Sequence, residues 1–126
     1  MAQTTVYNAE AHIIETKFEG ILDLKEAKEI IAKITDVAKE HNCFLCLSDY
    51  RDAELNLTTS EIYNLPKLLS DVTTLHGLSA TLFRRALVVR KDLENFHFFE
   101  TVTLNSMQNA RIFHDVGEAK RWLLES

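Results

Sequence analysis

Glycine and proline are scarce in this chain: three glycines and one proline among 126 residues. That leaves no material for flexible linkers or low-complexity tails. It also excludes the glycine-rich loop that cradles a phosphate in nucleotide-binding folds. With two cysteines there is no disulfide framework of the kind that staples small secreted domains. No apolar run approaches the roughly 20 residues of a membrane-spanning helix. The Met1-Ala2-Gln3-Thr4 start lacks the charged and then apolar pattern of a secretory signal. The expectation is a cytoplasmic protein without membrane insertion. Basic charge is short as well, 14 Lys and Arg against 19 Asp and Glu, for a formal net charge of −5. Broad electrostatic binding to nucleic acid or anionic lipid needs the opposite balance, so neither is expected as a partner.

Against these absences stand 46% apolar and 26% charged residues, the balance of an ordinary soluble globule. One domain over residues 1–126 is expected, large enough to bury a real core.

The stretch from Cys43 to Glu61 says most about architecture. Cys43-Phe44-Leu45-Cys46-Leu47 is a short continuous apolar run, which reads as a strand covered on both faces in a helix-flanked parallel sheet. It gives way to Ser48-Asp49-Tyr50-Arg51-Asp52, so the strand is expected over residues 43–48, with a loop from Asp49. Ligands and partners of such sheets collect at the carboxyl ends of the strands. Cys43 and Cys46 form a C-x-x-C, but inside a strand side chains three apart face opposite ways. Two buried, unreactive thiols are expected there, not a metal or redox pair.

Residues 5–8 and 12–19 read as two strands of a hairpin at a sheet edge, the second alternating apolar and polar and closed by Gly20. Asp23 and Glu26 form a capping box. It opens a helix of about 18 residues with Ala27, Ile30, Ile31, Ile34 and Ala38 on one face and Asn42 as its left-handed terminator. Thr58 and Glu61 open the next helix. Pro66 is expected to break it, a short turn ending near Asn64 and a second helix running with Leu65, Leu68, Leu69, Val72 and Leu75 to Gly77. A strand is expected over 84–90. A helix capped by Asp92 follows, carrying Phe96, Phe99, Val102 and Met107, and then a strand over 111–113. Asp115 and Glu118 open a last helix with Ala119, Trp122 and Leu123 inward. The order ββαβαβαβα predicts a single α/β domain with a mostly parallel sheet and right-handed crossovers.

The Asp-ending strand followed by Thr58-Thr59-Ser60-Glu61 at a helix start resembles the STAS family of anti-sigma-factor antagonists, the SpoIIAA-like fold. So does the element order over essentially the whole chain. The strand–Asp49-Tyr50-Arg51 segment and the Arg111-Ile112-Phe113 to Glu118-Ala119-x-x-Trp122-Leu123 ending match a looser SpoIIAA-like branch. Family members carry Asp-Ser-Ser-Gly at that helix start, and a partner kinase phosphorylates the second serine. The resemblance therefore implies Ser60 as the phosphoacceptor, in a loop about one residue longer. It also implies a non-enzymatic regulatory module that works through a protein partner. The same four residues satisfy a plain N-cap, which requires no phosphorylation.

The predicted topology brings Asp49, Tyr50, Arg51, Asp52, Arg90, Lys91 and His114 to one rim, a candidate site for a partner or an anion. Surface ion pairs among these charges are the competing reading. The five histidines are scattered without metal-ligand spacing, and no nucleophile, base and acid assemble, so no metal, cofactor or catalysis is expected. Two further readings stay open. The SpoIIAA-like fold resembles the core of lipid-transfer domains, so the helix bearing Phe96 and Phe99 could line a cavity for a small hydrophobic molecule. The edge hairpin could pair with a second copy to make a homodimer.

Overall fold

A computed structural model describes residues 2–90 and 109–125. Strands β1 (Ala2–Asn8) and β2 (Ile13–Leu22) form an antiparallel hairpin. Its turn is held by Asn8, whose side-chain oxygen accepts from the amides of Glu10 and Ala11 at 3.1 and 3.2 Å. His12 closes the turn in the left-handed region, φ 56°. Helix α1 (Leu24–His41) starts where Asp23 accepts from the Glu26 amide and stops where Asn42 turns left-handed at φ 50°, as the sequence predicts. Strand β3 (Leu45–Leu55), helix α2 (Thr59–Leu75) and a 3-10 turn at Ala80–Leu82 follow. Strand β4 (Arg84–Val88), strand β5 (Asn109–Phe113) and helix α3 (Val116–Leu124) complete the described chain. The expected helix from Asp92, with Phe96 and Phe99, lies outside the described residues, as does Lys91.

The sheet order is β1-β2-β3-β4-β5, with β1 antiparallel and the remaining pairings parallel. The mostly parallel α/β architecture and the hairpin at an edge are as expected. Helices α1 and α2 cover one face over Ile14, Phe18, Ile30, Ile34, Ile62 and Leu87. Helix α3 covers the other over Ile13, Leu47, Ala86 and Val88. Strand alternation produces this division, since Cys46 and Leu87 face α1 and α2 while their neighbours Leu47 and Ala86 face α3.

Five expectations need correction. The chain does not leave the sheet at Asp49: β3 runs on to Leu55, paired with β2 as far as Leu22. The positive φ of Gly20, 107°, lies within β2 and does not close it. Helix α2 is continuous through Pro66. The proline forfeits one helical hydrogen bond, but Ile62, Pro66, Leu69 and Thr73 make one buried stripe, and packing of that stripe holds both halves in line. Leu75, expected in that stripe, is 84% exposed. Finally, Cys43 precedes the strand, so alternation does not apply to it, and both cysteines lie in the same core cluster. Both are buried and free, and burial pushes the Cys46 thiol up to about 12, which leaves it protonated and unreactive.

Phe18 is fully buried opposite the irregular point of the β2–β3 ladder. Phe18→Ala is expected to lower stability by about 3–5 kcal/mol, as for other buried Phe truncations. Urea unfolding of the two proteins checks this; a loss under about 1 kcal/mol would mean that this part of the core is not packed as described.

Candidate functional site

The β2–β3 ladder carries a bulge. Lys17 pairs with Asp49, but Glu19 pairs with Asp52, so Phe18 stands opposite both Tyr50 and Arg51. One extra residue on β3 reverses the alternation beyond it. Before the bulge the buried positions facing α1 and α2 are Cys46, Ser48 and Tyr50; after it, Ala53 is buried and Leu55 and Leu57 are half-buried against the same core. Arg51 and Asp52 fall at the phase change, and both are exposed.

This geometry divides the predicted rim. Asp49, Val88 and Phe113 lie in register across three strands, so the ends of β4 and β5 lie level with Asp49, while β3 itself runs on to Leu55. Arg90 and His114 are exposed there, and His114 Nδ1 lies 2.9 Å from the carbonyl oxygen of Val89. Tyr50 is not part of that rim, since it is buried toward α1 and α2. Asp49 and Arg51 engage each other: Arg51 Nε donates to Oδ1 at 3.0 Å, Nη2 to Oδ2 at 2.8 Å, and the Arg51 amide to Oδ1 at 3.1 Å. The Arg51 hydrogen bonds hold the Asp49 carboxyl below the usual carboxylate range. Lys17 Nζ lies 3.7 Å from Asp52 and 4.0 Å from Glu19. These charges are tied into pairs and do not converge on a point.

Ser60 is exposed in the first turn of α2. The capping box around it is complete, with the Glu61 amide donating to Thr58 Oγ1 at 3.1 Å and the Thr58 amide to Glu61 Oε1 at 2.9 Å. The Glu61 carboxylate is thereby turned back onto the helix end. Tyr63, on the next residues of the helix, is 66% exposed.

A cavity of about 80 Å³ lies between the sheet and the two helices α1 and α2. Ile30, Ile34, Ile62, Leu69 and Phe83 give it apolar walls, and Ser48, Tyr50 and Arg85 bring polar groups to it. Burial raises the Tyr50 hydroxyl above the usual phenol range, while a side-chain hydrogen bond with Ser48 and the charge of Arg85 act in the opposite direction. The sequence reading missed this cavity. Its signal was the alternation Cys46, Ser48, Tyr50, which places both hydroxyls in one layer. Among the described residues no three of His, Cys, Asp or Glu are grouped to hold a metal ion. No helix among them is long and apolar enough to cross a membrane.

No protein-family model matches the chain, and no curated protein matches it in sequence. Solved structures do match. An uncharacterised protein of the DUF3478 family with a SpoIIAA-like fold, from Shewanella loihica PV-4, is 17% identical with a TM-score of 0.60, over 97% of this chain and 92% of that one. The anti-sigma-factor antagonist SpoIIAA in its unphosphorylated form is 12% identical with a TM-score of 0.57, over 93% and 92%. The phosphorylated form of the Bacillus cell fate determinant SpoIIAA is 10% identical with a TM-score of 0.52, over 96% and 99%. The chain has the SpoIIAA-like fold.

Asp49 is mostly shielded and Arg51 is 45% exposed, so Arg51→Ala is expected to cost about 0.5–1 kcal/mol at neutral pH. A carboxyl with a depressed folded pKa contributes stability above its unfolded value and loses it as pH falls through the folded one. The difference between wild type and variant should therefore hold above about pH 4 and shrink below it. Urea unfolding at several pH values checks this; a difference that grows in acid would contradict the pairing.

Proposed function

We propose that this chain is a non-catalytic, cytoplasmic regulatory module that docks a protein partner on the surface around the start of α2. The observation that carries this reading is the pairing of exposed Ser60 with the 66% exposed ring of Tyr63 on a firmly capped helix end. A tyrosine presented on a rigid element suits the aromatic anchor that many protein interfaces use. The solved SpoIIAA structures, of an anti-sigma-factor antagonist with and without phosphate, support a role for Ser60 as a phosphoacceptor on the same surface. Phosphate there would sit at a helix N-terminus, where negative charge is favoured. The rim of Asp49, Arg51, Asp52, Arg90 and His114 is the second area offered to a partner, and the outer edge of β1 is the place where a second copy would add. A photo-crosslinking residue at position 63, in the protein's own source cells, should give one discrete adduct that is absent when the same residue replaces Arg121 on α3. Equal or absent crosslinking at the two positions would contradict this reading.

The cavity favours a second reading, a carrier of a small hydrophobic molecule. Its apolar walls between α1, α2 and the sheet have the concave, few-polar-group character of a ligand pocket. Native mass spectrometry of protein from source cells should then show a bound small molecule; an empty protein would count against it.

A further inference from the structure

Arg84-Arg85 is a compact basic pair in the sequence, and the strand that carries it separates the two side chains. Successive strand residues face opposite ways. Arg84 goes to the α3 side, where Nη2 donates to the carbonyl oxygen of Trp122 at 2.6 Å and the guanidinium carbon lies 4.1 Å from the centre of the Trp122 ring. Its work is to clamp α3 onto β4. Arg85 goes to the other side, into the layer of Cys46, Ser48 and Tyr50, and lines the cavity. Its Nε is shielded from solvent, and burial lowers its pKa from the ordinary guanidinium value.

A guanidinium beside apolar walls is costly to desolvate, and an aliphatic side chain would fill the same space without that cost. A planar fork of donors is also the group best matched to a carboxylate. Tyr50 and Ser48 add hydroxyls to the sheet wall of the cavity, while the helices line it with alanine, isoleucine and leucine alone. The polar groups thus all belong to the sheet wall, which also carries Leu22, Leu55 and Leu87, and the helix wall is apolar throughout.

We propose that this cavity binds a small monocarboxylic acid, with the carboxylate on Arg85, Tyr50 and Ser48 and the alkyl tail between α1 and α2. The proposal rests on the carrier reading and adds the class of molecule carried. Size is consistent with a short tail. An apolar cavity of about 150 Å³ takes up the six carbons of benzene, so the roughly 80 Å³ here suits about three or four non-hydrogen atoms, carboxylate included, the size of acetate. The way in is marked by Leu57 and Leu65. Leu65 lines both the cavity and a surface hollow shared with Lys28 and Asn64, and Leu57 lines both the cavity and a second hollow shared with Asp23 and Thr58, so each stands between the cavity and an outer hollow.

The test is an NMR titration of the full chain with acetate and, separately, with ethanol. Acetate should saturably shift amides around the cavity and bind roughly tenfold more tightly than the alcohol, because the bidentate pairing of guanidinium with carboxylate exists for the acid alone. Arg85→Met should erase that preference. Should that variant fail to fold, Tyr50→Phe should reduce the preference in part. Equal binding of acid and alcohol in the cavity would overturn the proposal and leave the carrier reading standing. Acetate shifts confined to surface lysines would overturn it as well. No binding of either probe, together with an empty native mass, would remove both readings.

Discussion

The parallel ladder between β2 and β3, with its bulge opposite Phe18, is the constraint on which the rest of the molecule depends. Without the extra residue at Tyr50–Arg51, alternation would carry Ala53, Leu55 and Leu57 to the solvent side and Asp52 into the core. With it, Cys46, Ser48 and Tyr50 before the bulge and Ala53, Leu55 and Leu57 after it reach the same layer. The ribbon of β2 and β3 then continues past the end of β4 and walls one side of the cavity through Leu22 and Leu55. A bulge that re-aims side chains next to a concave site is a common use of this device.

The same alternation allots the polar residues. On one face of β3, Asp49 and Arg51 satisfy each other at the sheet edge. On the other, Ser48 and Tyr50 join Arg85 from β4. The charges that stand out in the sequence are thus mutually engaged, whereas the groups that face a cavity belong to residues that look unremarkable in a linear reading. The separation of Arg84 from Arg85 repeats this one strand further on. One arginine stacks on Trp122 and fastens α3, and its neighbour serves the opposite layer.

Much of this was legible in the residues themselves. The caps at Asp23, Thr58 and Asp115 and the terminator Asn42 sit where the helices begin and end, because these signals are local and the side chain bonds its own helix. The edge hairpin and the parallel sheet followed from patterning in the same way. What was not legible depends on tertiary phase. Ala53, Leu55 and Leu57 alternate in the sequence, but Asp49, Arg51 and Asp52 interrupt the run, and a change of phase looks like an end of strand. Pro66 was read as a break because its local cost is certain, whereas the buried stripe that outweighs it is a property of the packed molecule. Tyr50 and Arg85 could not be assigned to a cavity until the strand phase placed them in one layer.

The most direct test of this account is amide hydrogen exchange, followed residue by residue through the second half of β3. The Asn56 amide donates to the Leu22 carbonyl at 2.9 Å, and the ladder from Asp52 to Leu55 lies just before it. The account predicts that Asn56 and alternate amides before it exchange at least about 100-fold more slowly than in an unstructured chain. Exchange at unstructured rates from Tyr50 onward would mean that the strand ends at the bulge. In that case the wall of the cavity, and the placing of Tyr50 beside Arg85, would no longer stand.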